Sequence, residues 1–387
     1  MSRWQTFRHD LLRANWALTL FAVLASFIFG GVLIAASNPD VQAAAGNIFT
    51  NPGDFFGKLF QSVFGAYDAL FRGSVFNYRG RGFEGMIKPL TETLAFATPI
   101  TMAGLGLAVA FRSGLFNIGG TGQIIFGAMF AGWVGVNLDL PGYLHFPIAL
   151  VAGVVGGALF GSLVGLLKAT TGANEVIVTI MFNYIAALLL HYVLRTPILQ
   201  APGSIEPISS AVKDSAKYWQ FLGPNFRIHM GFVAMLLAVA GVWWLLNRSS
   251  IGFQFRALGH NPSAAKTAGI NIGLTYVLVM AVSGGLAGLA GTSQVLGTER
   301  FVTMGVAGSF GFDAITVALL GRSNPLGVLG AGILFGGLRA GAVLMQANQG
   351  VPIDIVFIVQ SMIVLFIAAP PLVRAIFRLP KPEAVAA

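Results

Sequence analysis

Two stretches of this chain place hydrogen-bonding side chains where the surrounding sequence is apolar. In residues 111–123, FRSGLFNIGGTGQ, an Arg, a Ser-Gly pair, an Asn and three further glycines interrupt an apolar region. In residues 172–184, GANEVIVTIMFNY, Glu175, Thr179 and Asn183 are successive fourth residues, so with Asn174 they share roughly one helical face. Amides and hydroxyls of this kind exchange hydrogen bonds with a neutral polar molecule and make no covalent bonds to it. Asn117, Gln123 and Asn183 are therefore candidates to line a pathway, and Glu175, near a helix end, either joins them or caps and pairs there. A polar stripe in an apolar helix faces a pore or a partner helix. Phe116 and Phe182 adjoin the set and read as gates or as core packing. Asp313, with Glu92 and Arg339, sits deep in apolar sequence, where a charge is costly and is either functional or paired within the fold.

Other chemistries find no residues to carry them. With no cysteine there is no disulfide, thiolate site or Cys nucleophile, and five histidines without HxxxH or HExxH spacing offer little to zinc. No series of buried carboxylates or histidines forms a proton relay. The nearest string to a G-x(4)-G-K-[ST] phosphate loop, Gly53 to Leu59, has the wrong spacing and lacks the hydroxyl, so neither ATP binding nor a catalytic site is expected on this chain.

The elements that must position these residues are membrane helices. Of 387 residues, 56% are hydrophobic and 10% charged, with mean hydropathy +0.78, outside the range of soluble proteins. Fifty glycines and seventeen prolines without a G-X-Y period exclude collagen, and the apolar fraction excludes a disordered chain. The net charge of +9 comes without a basic run, which points to basic loops and not to a nucleic acid polymer. Spans of roughly 20 apolar residues are expected at about 16–37, 89–111, 117–138, 146–168, 175–194, 229–246, 273–297, 325–346 and 353–373. A short, glycine-rich tenth segment lies at about 305–321. Counting it places Arg3, Arg8, Arg13, Arg112, Lys168, Arg248, Arg256, Lys266, Arg322 and the tail 374–387 on one side, as the positive-inside rule requires.

The expected fold is thus an all-α polytopic membrane protein, one transmembrane domain over 1–387 with about ten segments, some broken or half-length, and both termini cytoplasmic. The run at 16–37 is too long for a signal peptide. Residues 38–88 read as an amphipathic interfacial segment on the outer face, and 195–228, with four prolines, as a structured outer cap. Broken helices are tolerated at membrane depth only when buried in protein or facing water, so 111–123 points to a pathway within the core spans 89–373. Glycines at 153, 157, 161 and 165, and the pairs Gly284/Gly288 and Gly337/Gly341, form grooves for close helix approach, inside one subunit or between subunits. The basic loop 248–272 contains a short helix capped by Asn261 or Ser263, with Pro262 in its first turn, suited to docking or to simple connection.

These motifs resemble the permease subunit of bacterial ABC importers, in the group serving branched-chain amino acids, simple sugars and nucleosides, and within it the nucleoside branch linked to basic membrane lipoproteins. Residues 111–123 are similar to FR-G-LFNIG-x-x-GQ, 172–184 to G-x-NEVI-x-T-x-M-x-NY, 259–270 to G-x-NP-x-AA-x-x-AGI and 310–327 to GF-D-xI-x-VALLG-x-x-NPLG. The likeness spans about 87–373; residues 1–86 match only in general character, and Thr121 stands where the family commonly has an acidic residue.

The resemblance implies import of a nucleoside, or a ribose-type sugar, across the bacterial inner membrane by alternating access. It implies a second permease subunit, similar or identical, two cytoplasmic ATP-binding domains that hold the ATP and Mg, and an extracytoplasmic binding protein. It makes His260, Asn261, Pro262, Ala264, Ala265 and Gly269 the contact with the ATPase. A channel or secondary transporter working without ATP uses broken helices too, and an ATPase partner separates the two. A polytopic enzyme is the third reading, and it lacks clustered catalytic groups.

Overall fold

A computed structural model of the protein describes residues 15–377. Arg3, Arg8 and Arg13, and the tail from 378 with Lys381, lie outside the described residues. In chain order the helices are α1 (Asn15–Ser37), α2 (Pro39–Ala45), α3 (Pro52–Ser74), α4 (Gly82–Arg112), α5 (Gly120–Asn137), α6 (Gly142–Thr171), α7 (Glu175–Val193), α8 (Gly231–Arg248), α9 (Ser250–His260), α10 (Pro262–Thr267), α11 (Ile272–Ser293), α12 (Phe310–Leu320), α13 (Pro325–Gln349), α14 (Ile353–Ala368) and α15 (Pro370–Ile376). Among the described residues, strand-type pairing is confined to two isolated bridges, Gln200 with Ser209 and Ile208 with Thr303. Seven helices among them are long and apolar enough to cross a membrane: α1, α4, α6, α7, α8, α13, and α11 with the turn that extends it to Thr298. The expected tenth segment is the 11-residue α12, about half a span.

The helices begin where the sequence supplies caps. Asn38, Asn51, Asn174, Ser249, Asn261 and Asn271 each accept backbone N–H groups of the following turn, and proline follows directly at 39, 52 and 262.

The chain forms two compact units, one from the residues up to Leu90 together with those from Leu338 onward, the other Thr91–Gly337. In the first, α1 packs along α14, with Ala22, Ala25, Phe366 and Val373 buried together. The face of α3 bearing Phe56, Phe60, Phe64 and Phe71 is exposed, while Ala66, Ala69 and Gly73 are buried, the amphipathic pattern read from 38–88. Arg72, buried, is neutralised by Asp68 at 2.9 Å, and a Cβ on Gly73 would strike the Gly341 backbone at 2.9 Å, which makes small residues necessary on both helices.

The second unit is built on glycine. A Cβ at Gly157 would meet the Gly284 carbonyl, one at Gly161 the Met280 carbonyl, and one at Gly165 the Tyr276 carbonyl at 2.7 Å. The fourfold glycine repeat of α6 is therefore its seam with α11 inside one chain. The opposite face of α6 presents Val151, Val155, Leu159, Leu163 and Leu166 outward. Glycine inside and large aliphatic side chains outside invert the soluble pattern and suit a lipid surround. Segment 195–228 is an ordered cap: His145, fully buried, contacts Ser215 Oγ at 2.7 Å and the Val134 carbonyl at 3.0 Å, while the Tyr218 N–H donates to the Leu296 carbonyl at 2.8 Å.

Candidate functional site

Between α4 and α5 the chain leaves helical geometry at Ser113–Gly119, and the backbone groups freed there are satisfied by side chains. Asn183 on α7 does this twice, accepting the Gly122 N–H at 2.8 Å and donating to the Ile118 carbonyl at 2.9 Å. One turn earlier, Thr179 accepts the Ile118 N–H at 3.2 Å. One turn earlier still, Glu175 accepts the Phe116 N–H at 3.4 Å and a bond from Lys168 Nζ at 2.6 Å. The polar stripe of α7 is thus the partner of the broken segment, one side chain per turn.

Asn117 anchors the same segment from within. Fully buried, it accepts the Gly119 N–H at 2.8 Å and donates to Ser283 Oγ of α11 at 2.9 Å and to Gln123 Oε1 at 3.1 Å. Gln123, 1% exposed, has its Nε2 without a hydrogen-bond partner among the described residues. A buried donor left in this way costs about 1–3 kcal/mol.

The structure brings Asn117, Gln123, Asn183, Glu175 and Phe116 into one joint. Phe116 stacks on Phe111 with centroids 4.8 Å apart and stays partly exposed. Half-buried Phe182 lies 5.1 Å from Phe160, which itself stacks on Phe126, so it belongs to an aromatic cluster. Asp313 sits one helical turn along α12 and accepts from Ser309 Oγ at 3.0 Å. Its helix reaches the joint through Gly311, whose added Cβ would meet Thr121.

The second candidate region adjoins the first. Asn261 caps α10, accepting the N–H groups of Ser263 at 3.0 Å and Ala264 at 3.1 Å. His260, Asn261, Pro262, Ala264 and Gly269 are exposed, and Gly269 takes a positive φ of 85° that favours glycine. Ala265 is 3% exposed, so its small size serves packing within the chain. At the end of α9, a Cβ on Gly259 would meet the Arg112 carbonyl, and one on Gly114 would lie 3.2 Å from Gly259 Cα. The loop region 248–272 thus touches the elbow that opens the broken segment, backbone to backbone.

A third feature was not singled out by sequence reading. Past Ser293, α11 widens into a π turn, Gln294–Thr298, in which the Glu299 N–H donates to the Gln294 carbonyl at 2.7 Å. A cavity of ≈ 120 Å³ opens beside it, lined among others by Phe96, Arg227, Gln294, Thr298, Glu299 and Phe310. Arg227 lies 5.5 Å over the Phe96 ring and pairs with Glu92 at 3.3 Å and Glu299 at 3.9 Å. Glu92, singled out from the sequence as an ionisable residue in a span, is the structurally paired case. Behind the turn, His229 Nδ1 accepts the Gly231 N–H at 3.0 Å and Nε2 faces Thr298 Oγ1 at 3.2 Å. Burial, with Arg300 and Arg227 nearby, pushes His229 down to about 4. The available signal was Gln294 followed by Thr298-Glu299-Arg300, polar residues ending an apolar run; nothing in their spacing announces a π turn.

The family described as branched-chain amino acid transport system, permease component, matches residues 90–368. The guanosine ABC transporter permease protein NupP of Bacillus subtilis is 39% identical over 76% of this chain and 84% of its own length. The nucleoside ABC transporter permease protein NupB of Lactococcus lactis is 34% identical over 78% and 85%. The glucose ABC transporter permease protein TsgB13 of Haloferax volcanii is 30% identical over 90% and 86%. No solved structure matches the chain.

Proposed function

This chain belongs to the family of branched-chain amino acid transport system permease components, and from that premise we propose that it carries a nucleoside across the bacterial inner membrane as the permease of an ABC importer. The observation that carries the choice of cargo is the 39% identity to a permease named for guanosine, over 84% of that relative's length. The relative named for glucose, at 30%, favours a simple sugar as the second reading.

In this reading two permeases, identical or similar, pair in the membrane, a binding protein delivers cargo to the outer face, and two ATP-binding domains engage α9 and α10 from the cytoplasm. ATP and Mg stay on those partners, and this chain performs no bond chemistry. The exposed face of α10, with His260, Asn261, Pro262, Ala264 and Gly269, meets the ATPase, and Ala265 holds that helix to its own subunit. Movement there reaches the elbow at Arg112–Gly114 and then the joint of Asn117, Gln123 and Asn183. In the open state these amides exchange internal hydrogen bonds for bonds to the cargo, with Asp313 and Glu175 at the margins and Phe116 and Phe182 as apolar gates. Neutral amides suit a neutral, hydroxyl-rich cargo because they bind it weakly enough to release it.

The test is uptake of labelled nucleosides, pentoses and glucose by cells with and without this subunit, the ATPase and binding protein being present in both, and by cells that hold the subunit but lack the ATPase. Nucleoside uptake that depends on the subunit is expected. Subunit-dependent uptake of sugars alone would replace the cargo, and uptake that persists without the ATPase would overturn the ABC assignment.

A further inference from the structure

Resting on the nucleoside reading above, we infer that the cavity beside the π turn is a waypoint that seats the base end of the cargo. Its ≈ 120 Å³ falls below the roughly 300–1,000 Å³ of pockets that enclose a whole ligand. It accommodates part of a nucleoside and not all of it, as a site of passage should. Gln294, 4% exposed, lines the cavity, where its amide can offer hydrogen bonds to whatever fills that space. A Gln amide offers a donor and an acceptor side by side. That pattern complements the edge of a nucleobase, where donor and acceptor also stand adjacent.

The remaining walls favour a base over a ribose. Phe310, and Phe96 with the Arg227 guanidinium over one face of its ring, supply flat surface on which any base stacks with little regard to its identity. Ribose would need several hydroxyl partners, and the Thr298 hydroxyl is already engaged with His229 at 3.2 Å. The cation at the rim is already engaged, since Arg227 pairs with both Glu92 and Glu299, so it is not left free to capture an anion in preference to a neutral cargo. The π turn itself is a departure from α geometry of a kind that recurs at functional sites. Gln294 and Thr298, four residues apart, share the face of this turn that lines the cavity.

The test uses the complete transporter in cells, with uptake normalised to inserted permease and labelled guanosine competed by adenosine, uridine and free ribose. Gln294→Leu is expected to lower uptake severalfold and to flatten the preference among bases. Gln294→Glu, which keeps the shape but only accepts hydrogen bonds when ionised, is expected to raise the preference for guanosine, whose edge donates twice, over adenosine. Phe96→Leu lowers uptake of all nucleosides and leaves competition by ribose unchanged. Base preference identical to wild type in both Gln294 variants, at whatever uptake, overturns the waypoint while leaving the nucleoside reading intact. Absence of nucleoside uptake by the wild-type transporter overturns both.

Discussion

At the scale of single residues, the joint rests on two amides with different connections. Asn183→Leu removes the partners of the Gly122 N–H and the Ile118 carbonyl at once, two largely enclosed backbone groups that each cost about 1–3 kcal/mol when left unmade. It is expected to lower both the thermal midpoint of the purified permease and the transport rate, whereas Asn183→Gln should recover part of each. A fluorescence melting curve and an uptake assay on the same preparations check this, and wild-type values for Asn183→Leu would remove Asn183 from the joint. Asn117→Leu loses the tie to Ser283 as well and is expected to be the more damaging. His229 supplies a pH dependence. Its folded value of about 4 lies below the ordinary 6.5, so the unfolded chain binds the proton first as pH falls. The stability it contributes is complete above 6.5 and is lost progressively down to about 4, where the folded site also protonates. Melting curves across that range should show a loss that is reduced in His229→Gln. The spacing of Glu175, Thr179 and Asn183 made their shared face legible in the sequence. It could not say that the face meets backbone, because the partner lies about sixty residues earlier and is itself irregular.

At the scale of elements, the α6–α11 seam allows no side chain at Gly157, Gly161 or Gly165. Gly157→Leu would drive carbons into the Gly284 carbonyl and Gly288 Cα and is expected to abolish folded protein, while Val155→Leu, on the outward face, should insert and melt normally. Size-exclusion profiles of the two variants in detergent settle the contrast. For α10, Ala264→Arg is expected to insert, melt like wild type and lose substrate-stimulated ATP hydrolysis, because Ala264 is exposed. Ala265→Arg fails earlier, as a folding defect, because Ala265 is buried. Equal behaviour of the two would refute the division of α10 into an outward and an inward face. The long apolar runs located α6 and α11, and the Asn261-Pro262-Ser263 string located α10, whose cap is Asn261 and not Ser263. Which of two adjacent alanines faced inward was not legible, since a six-residue helix of small side chains carries no amphipathic pattern.

At the scale of the whole molecule, the charge rule and the absence of cysteine make topology directly testable. A single cysteine introduced at Ser210 should react with an impermeant maleimide from outside intact cells, and one at Ser263 only after permeabilisation; the reverse pattern would invert the orientation. Hydropathy made the long spans legible, but α12 is only 11 residues, and its place in the series came from charges on either side. The contact of Gly259 with Arg112 and Gly114 has a consequence for timing. A linkage made through side chains has slack, because rotamers yield before the backbone behind them moves. Here there are no rotamers to yield, so a displacement of α9 and a displacement of the elbow are a single kinetic event. Spectroscopic labels on the two should report the same rate constant in every turnover, with no state populated in which one has moved and the other has not.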